Sequence, residues 1–159
     1  MSRHNSKTRQ LRLQSLERRD LMAADIDLDN GVIEIEGSSG DDDIVIQYST
    51  KDPGEIVVEI HDHNTNELIE AESYDRKRVQ SIQVYGKDGG DYVRNETNIP
   101  MEAFGEDGDD PRVGGGAGDR LIGGRGDDYL EGRGGNDILE GGADNDQYRF
   151  FNPGGEFLH

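Results

Sequence analysis

The sequence predicts an all-β chain: a parallel β-roll, or β-solenoid, of nonapeptide repeats, preceded by short antiparallel strands and a disordered N-terminus. Three observations predict it. First, Asp119, Asp128, Asp137 and Asp146 fall nine residues apart without a slip. Leu121, Leu130, Leu139 and Tyr148 keep the same step, as do Gly114, Gly123, Gly132 and Gly141. Self-similarity at a fixed short period marks stacked architectures. Second, residues 25–104 alternate apolar and polar side chains between turn signals. Third, the chain holds 23 glycines, and no helical period of useful length runs through it.

Each nine-residue unit reads as a turn followed by a strand. Glycine at positions one, two and four lets the backbone take positive φ, so a tight turn can bring its carbonyls together. Aspartate at position six adds a carboxylate. The next three residues form a very short strand whose middle side chain faces inward. Two units make one coil, so the stacked neighbour of residue i is i+18: Asp119 lies above Asp137, and Asp128 lies between Asp110 and Asp146. Coils stack roughly 4.8 Å apart. Carboxylates at that spacing repel by about 0.9 kcal/mol in bulk water and by roughly 3.5 kcal/mol at an effective dielectric near 20. A cation that takes oxygens from adjacent turns reverses the sign. Hard carboxylate and carbonyl oxygens, without Cys or His, favour calcium over magnesium, which demands tighter geometry and keeps its waters.

GGRGDDYLE (123–131) fits the pattern G-G-x-G-x-D-x-U-x in full. GRGGNDILE (132–140) departs from it at Arg133, GGADNDQYR (141–149) at Asp144, and GGGAGDRLI (114–122) at Ala117. GEDGDDPRV (105–113) precedes them in phase but puts Arg112 where an inward aliphatic belongs, unless the register slips by one and Val113 fills in. This stretch resembles the hemolysin-type calcium-binding repeat, the RTX family. The resemblance implies a parallel β-roll with Ca2+ between stacked turns. It also implies a ligand set: the side chains of Asp110, Asp119, Asp128, Asp137 and Asp146, with backbone carbonyls of the glycine turn such as Gly115, Gly124, Gly126, Gly135 and Gly142.

Before the repeats, Asn30-Gly31, Asp52-Pro53-Gly54 and Asn64-Thr65-Asn66 are turn signals. Between them VIEIE (32–36), DIVIQYS (43–49), EIVVEIH (55–61) and VQSIQVY (79–85) read as half-buried antiparallel strands. GSSGDDDIV (37–45) and GKDGGDYVR (86–94) echo the repeat, with Asp42 and Asp91 at position six. They read either as ordinary Gly-Asp turns or as early turns of the solenoid, interrupted by a hairpin excursion over 46–80. In the second reading Asp42, Asp91 and Asp110 line one edge and join the metal ligands. NETNIPMEAF (95–104) then forms a half-coil with one extra residue and no metal.

Hydrophobic residues are 31%, charged residues 33%, and the formal net charge is −18. That balance describes a chain that does not bury enough apolar surface to fold unaided. It repels nucleic acid and attracts cations. No apolar run approaches a membrane span, and there is no cysteine. Against the acidic remainder, residues 1–20 carry Arg3, Lys7, Arg9, Arg12, Arg18 and Arg19. They lack the apolar run of a standard signal peptide. LQSLERRDLMAAD (13–25), with Leu16, Glu17, Arg19, Leu21, Met22 and Ala23, resembles the N-terminal motif of the planctomycete extracellular protein family. That resemblance implies an exported protein; a basic tail or a surface-binding amphipathic helix is the other reading. Only NPGGEFLH (152–159) follows the repeats, so the N-terminal motif is the expected export element. The organisation expected is a basic export or tail segment (1–24), a strand region with two degenerate repeat-like turns (25–104), the calcium-binding roll (105–151) and a C-terminal tail (152–159).

Other motifs carry less. His61-Asp62-His63 puts two imidazoles on one strand face, with no third ligand evident. Arg125-Gly126-Asp127 spells an adhesion tripeptide but falls on repeat positions three to five. Asn95-Glu96-Thr97 matches a glycosylation acceptor. Tyr148, Phe150 and Phe151 are expected to cap the open end of the roll. No nucleophile–base arrangement, divergent carboxylate pair or phosphate loop supports catalysis. The expected function is that of a secreted, extracellular calcium-binding protein that folds on calcium and has a structural or adhesive role. Its expected partners are calcium ions and extracellular polysaccharide or cell-surface matrix. The alternatives are the C-terminal calcium cassette of a larger toxin or hydrolase, or a calcium-dependent glycan-binding module.

Overall fold

The computed structural model describes residues 24–151 and 157–158. Strands β1 (Asp25–Asp29) and β2 (Val32–Glu36) form a hairpin. Its turn, Asn30 and Gly31, takes φ of 49° and 86°, the left-handed pair whose twist matches the strands it joins. The chain then crosses to a second sheet as β3 (Asp42–Tyr48) and meanders through β4 (Glu55–Asp62) and β5 (Leu68–Asp75). A 3-10 turn, Arg76–Arg78, is capped by Asp75, whose Oδ1 accepts from the Lys77 N–H.

From there the path is a coil. It runs through β6 (Ser81–Tyr85), β7 (Tyr92–Asn95), β8 (Met101–Asp107), β9 (Pro111–Val113), β10 (Arg120–Arg125), β11 (Tyr129–Glu131), β12 (Ile138–Ala143) and β13 (Gln147–Phe151), alternating between the sheets. A short strand β14 (Phe157–Leu158) pairs antiparallel with β13. One sheet has the order β1-β2-β6-β8-β10-β12, the other β14-β13-β11-β9-β7-β3-β4-β5. The molecule is therefore all-β, a β-solenoid, as its sequence predicts. The i+18 stacking holds: Leu121 pairs with Leu139, and Leu130 with Tyr148. The two sheets run without interruption through residues 104 and 105, so the earlier strands and the repeats share one stack.

The solenoid begins at β2, well before the regular repeats, and the hairpin excursion is β4 and β5. The extra residue sits in the turn after β7. Val113 lies 19 positions from its partner Arg94, whereas Arg120 lies 18 from its partner Glu102. The strands of 25–104 are not all antiparallel. β2 with β6, β6 with β8, and β3 with β7 pair in parallel; β1 with β2, β3 with β4, and β4 with β5 are antiparallel. Alternation reveals which face is buried, not which way the neighbour runs.

The core fills the gap between the sheets. Ile33, Ile35, Ile82, Val84, Met101, Ala103 and Leu121 face it from one side, and Ile44, Ile46, Val93 and Leu130 from the other. Each such aliphatic contributes about 1.5–3 kcal/mol on burial. The supply thins along the stack. β2 buries two isoleucines, β10 and β11 bury one leucine each, and Leu139 and Tyr148 are only partly buried. The C-terminal coils thus have the weakest hydrophobic support. The basic segment, the residues 16–23 expected to form an export motif and most of the C-terminal tail lie outside the described residues.

Candidate metal centre

Two edges of the roll carry turns. One edge joins the first sheet to the second through residues 37–42, 86–91, 105–110, 123–128 and 141–146. The other returns through 95–100, 114–119 and 132–137. On the first edge the position-six aspartates form a ladder. The Asp42 N–H donates to Asp91 Oδ1 at 3.0 Å, Asp91 N–H to Asp110 Oδ1 at 2.8 Å, Asp110 N–H to Asp128 Oδ1 at 2.9 Å and Asp128 N–H to Asp146 Oδ1 at 3.2 Å. The second edge repeats the device: Met101 N–H donates to Asp119 Oδ1, and Asp119 N–H to Asp137 Oδ1. Every aspartate expected as a ligand stands in one of these ladders.

One carboxylate oxygen is therefore used by the fold, and the other decides the chemistry. Asp91, Asp110 and Asp128 are buried, and their Oδ2 atoms have no hydrogen-bond partner among the described residues. Desolvation pushes the Asp128 carboxyl up to about 6 and Asp91 to about 8, and raises Asp110. On the second edge Asp119 is likewise raised to about 6, by burial and by the like charge of Asp137. Asp42 differs: its carboxylate accepts from the Ser38 N–H at 2.6 Å and the Ser38 hydroxyl at 2.9 Å, a local closure of the first turn. Asp137 and Asp146, at the open ends of their ladders, are half-buried.

The glycines play two different parts. Those at positions two and four take positive φ, such as Gly124 at 118° and Gly126 at 122°, with Gly135 and Gly142 doing likewise. Position one serves close approach instead. A side chain at Gly123 would overlap Asp128 Oδ2 and the Gly141 carbonyl of the next coil. Carboxylate and carbonyl oxygens of adjacent turns thus converge where no side chain fits. Gly115 belongs to neither group: the 114–119 turn shows no positive φ, and the Gly115 N–H donates to Asp119 Oδ2 at 2.6 Å. Ala117, at position four, resists the left-handed region the other turns use.

Among the described residues no three His, Cys, Asp or Glu side chains group so as to hold a metal by themselves. A cation in these turns needs the backbone carbonyls as well, and a set of hard oxygens without nitrogen or sulfur suits calcium. The buried Asp128 Oδ2, which has no hydrogen-bond partner among the described residues, and the space against Gly123 and the Gly141 carbonyl fit such an ion; Asp110 Oδ2 is instead taken up by Arg112.

Sequence reasoning missed a second ladder, at position five. The Asp127 N–H donates to Asp109 Oδ1 at 2.8 Å, Asn145 N–H to Asp127 Oδ1 at 3.0 Å, and Gly90 N–H to Asp41 Oδ1 at 2.9 Å. Its donors belong to the following coil, whereas the inner ladder's belong to the preceding one. The only signal for it was the paired acids Asp41-Asp42, Asp109-Asp110 and Asp127-Asp128. Asp127 is thus structural within Arg125-Gly126-Asp127. Asn95 is fully buried, with its side-chain amide donating to the Ile99 carbonyl at 2.9 Å, so it is closed to glycosylation in this fold. His63 Nδ1 meets Asp43 at 2.6 Å, and that carboxylate raises the imidazole's pKa. Tyr148 packs against the core, and its hydroxyl oxygen accepts from the Gly141 N–H.

A two-sheet parallel roll with glycine turns and stacked carboxylates defines a nonapeptide-repeat β-solenoid. Residues 113–148 match the family model of the RTX calcium-binding nonapeptide repeat, in four copies. That segment is accordingly similar to the RTX calcium-binding nonapeptide repeat, which supports a calcium-binding role. The unit at 105–113 lies outside the match except for Val113, although its turn stacks in register. No curated protein and no solved structure matches the chain. No described helix is long and apolar enough to cross a membrane.

Proposed function

We propose that the chain is a secreted calcium-binding β-roll that completes its fold outside the cell and acts there as a structural or adhesive module, without catalysis of its own. The observation that carries this reading is the stacked, buried carboxylates of Asp119 and Asp128 over Asp137 and Asp146. They sit in the coils with the thinnest apolar core. Bound calcium would neutralise these carboxylates and draw adjacent turns together. Asp119 and Asp128 hold their Oδ1 atoms fixed through backbone donors one coil away, so each turn is aligned on the next. The glycines at position one keep the space between turns open. Extracellular calcium modules work at dissociation constants around 0.1–1 mM, so such a chain stays incompletely folded in cytosol and folds after export. Polysaccharide or cell-surface matrix is the partner this reading expects, since an acidic roll bearing calcium presents hard oxygen ligands in a regular array.

Far-UV circular dichroism of the full chain, titrated with calcium and separately with magnesium, tests the proposal. β signal should grow between about 0.1 and 10 mM calcium and not with magnesium. A spectrum fully formed in chelator and indifferent to calcium would sink it.

A further inference from the structure

Arg112 breaks the repeat at the inward position, and the structure shows where its charge goes. No register slip occurs. Arg112 pairs with Val93 on one side and Leu130 on the other, both core residues, and is itself fully buried. Its guanidinium reaches sideways into the first edge of the roll. Arg112 Nη2 lies 3.3 Å from Asp110 Oδ2, with both side chains fully buried. A methyl group placed on Gly86 would stand 3.2 Å from the same nitrogen, 2.6 Å from Asp91 Oδ2 and 3.0 Å from the Gly105 carbonyl. A methyl group on Gly105 would stand closer still, 2.5 Å from this nitrogen and from Asp110 Oδ2, so the guanidinium lies at the level of the 105–110 turn and against the 86–91 turn, where their oxygens converge. Its three nitrogens make no hydrogen bond among the described residues. Burial works against the guanidinium's charge and lowers its pKa, and the carboxylates of Asp110, Asp91 and Asp128 around it work the other way.

We infer that Arg112 is a built-in counter-ion that takes the place of a calcium ion between the 86–91 and 105–110 turns, so that the coils β6/β7 and β8/β9 close without metal. An arginine side chain keeps its charge at every physiological pH. In a buried ring of carboxylates its value is charge neutralisation rather than directed hydrogen bonds. The opposite edge of the same coils is also self-sufficient. There the Thr97 N–H and hydroxyl both donate to Asn95 Oδ1, and the Ile99 N–H donates to Thr97 Oγ1. A neutral side-chain network thus fills the 95–100 turn, and no position-six carboxylate enters it. The roll therefore has a metal-independent N-terminal half that templates the calcium-dependent coils β10/β11 and β12/β13. The part of this inference that names calcium as the ion Arg112 replaces rests on the proposed function.

Hydrogen exchange read by mass spectrometry on the full chain tests it, in chelator and in millimolar calcium. In chelator the wild-type amides of β7 and β8 should be protected while those of β11 and β12 exchange. Arg112→Leu, which restores the aliphatic of the other units, should lose protection of β7 and β8 in chelator, regain it in calcium, and bind an additional calcium ion by equilibrium dialysis. Arg112→Gln should behave as Arg112→Leu does, because it removes the charge and keeps much of the reach. Exchange of β7 and β8 in the chelated wild type overturns the inference, with no variant needed. So does protection in chelator of either variant, or failure of calcium to rescue both. Failure of the calcium reading looks different: β11 and β12 would not respond to calcium, while β7 and β8 stay protected in chelator.

Discussion

At the scale of single residues, each position-six aspartate has two duties, and only one was legible. Spacing placed Asp119 over Asp137, and the hydrogen bond from Asp119 N–H to Asp137 Oδ1 at 2.9 Å confirms that stacking. The split between a fold-building Oδ1 and a second oxygen turned toward the turn could not be read from spacing. It gives a prediction. In Asp119→Asn one oxygen can still accept from Met101 N–H, but the amide nitrogen then faces the Gly115 N–H, donor against donor. With calcium saturating, stability should fall by about 1–3 kcal/mol, read as a lower urea midpoint, and the calcium requirement should rise because a ligand charge is gone. An unchanged midpoint and unchanged calcium dependence would show that Asp119 neither builds the turn nor binds. Arg112 was legible as a departure, but not its outcome: a long basic side chain can stay at an inward position when its head reaches a carboxylate edge.

At the scale of elements, the turns were the best predicted part. In the 86–91, 105–110, 123–128, 132–137 and 141–146 turns, positions two and four are left-handed even where the sequence departs from glycine: Lys87, Glu106, Arg133 and Asp144 all have positive φ. The stack thus dictates the turn, and the non-glycine residues comply at a cost of order 1 kcal/mol or more each. Arg133, at φ 64°, gives the cleanest test. Its contacts with Glu96 at 3.1 Å and Glu131 at 3.7 Å are partly exposed, and such pairs contribute little. Arg133→Gly should therefore stabilise the calcium-bound chain by about 1 kcal/mol, or roughly 2–4 °C in Tm, measured by calorimetry. A lower Tm would mean that the ion pairs outweigh the backbone strain. Strand β5 was the element least legible. Its sequence LIEAESYD buries only Tyr74, and Leu68 and Ile69 are exposed; a strand held by backbone pairing to β4 leaves no alternating pattern. Strand direction was hidden for a related reason, because β6 looks the same in sequence whether its neighbours run with it or against it.

At the scale of the whole molecule, buried carboxylates run along the stack while hydrophobic support thins toward the C-terminal coils, so pH should act on the metal-free and calcium-bound states with opposite sign. Asp119 and Asp128 ionise near 6 in the fold, and Asp91 near 8, against an ordinary 3.8. Without metal, the folded chain holds protons on these groups over a range where the unfolded chain has already lost them. Stability falls with rising pH wherever the folded state binds more protons. The stabilising contribution is thus fully present below about 4, and is lost through about 6 for Asp119 and Asp128 and through about 8 for Asp91. Calcium needs the carboxylates of Asp119 and Asp128 deprotonated, so its binding releases protons and tightens as pH rises. Calcium-stripped protein should then be more folded at pH 5 than at pH 8, while the calcium concentration at half-folding should fall over the same interval. Circular dichroism at pH 5, 6, 7 and 8, with and without calcium, measures both trends. If the stripped protein instead gains structure toward pH 8, the buried carboxylates are neutralised by something other than protons, and the ladder is not the acid- and calcium-sensitive element of the roll.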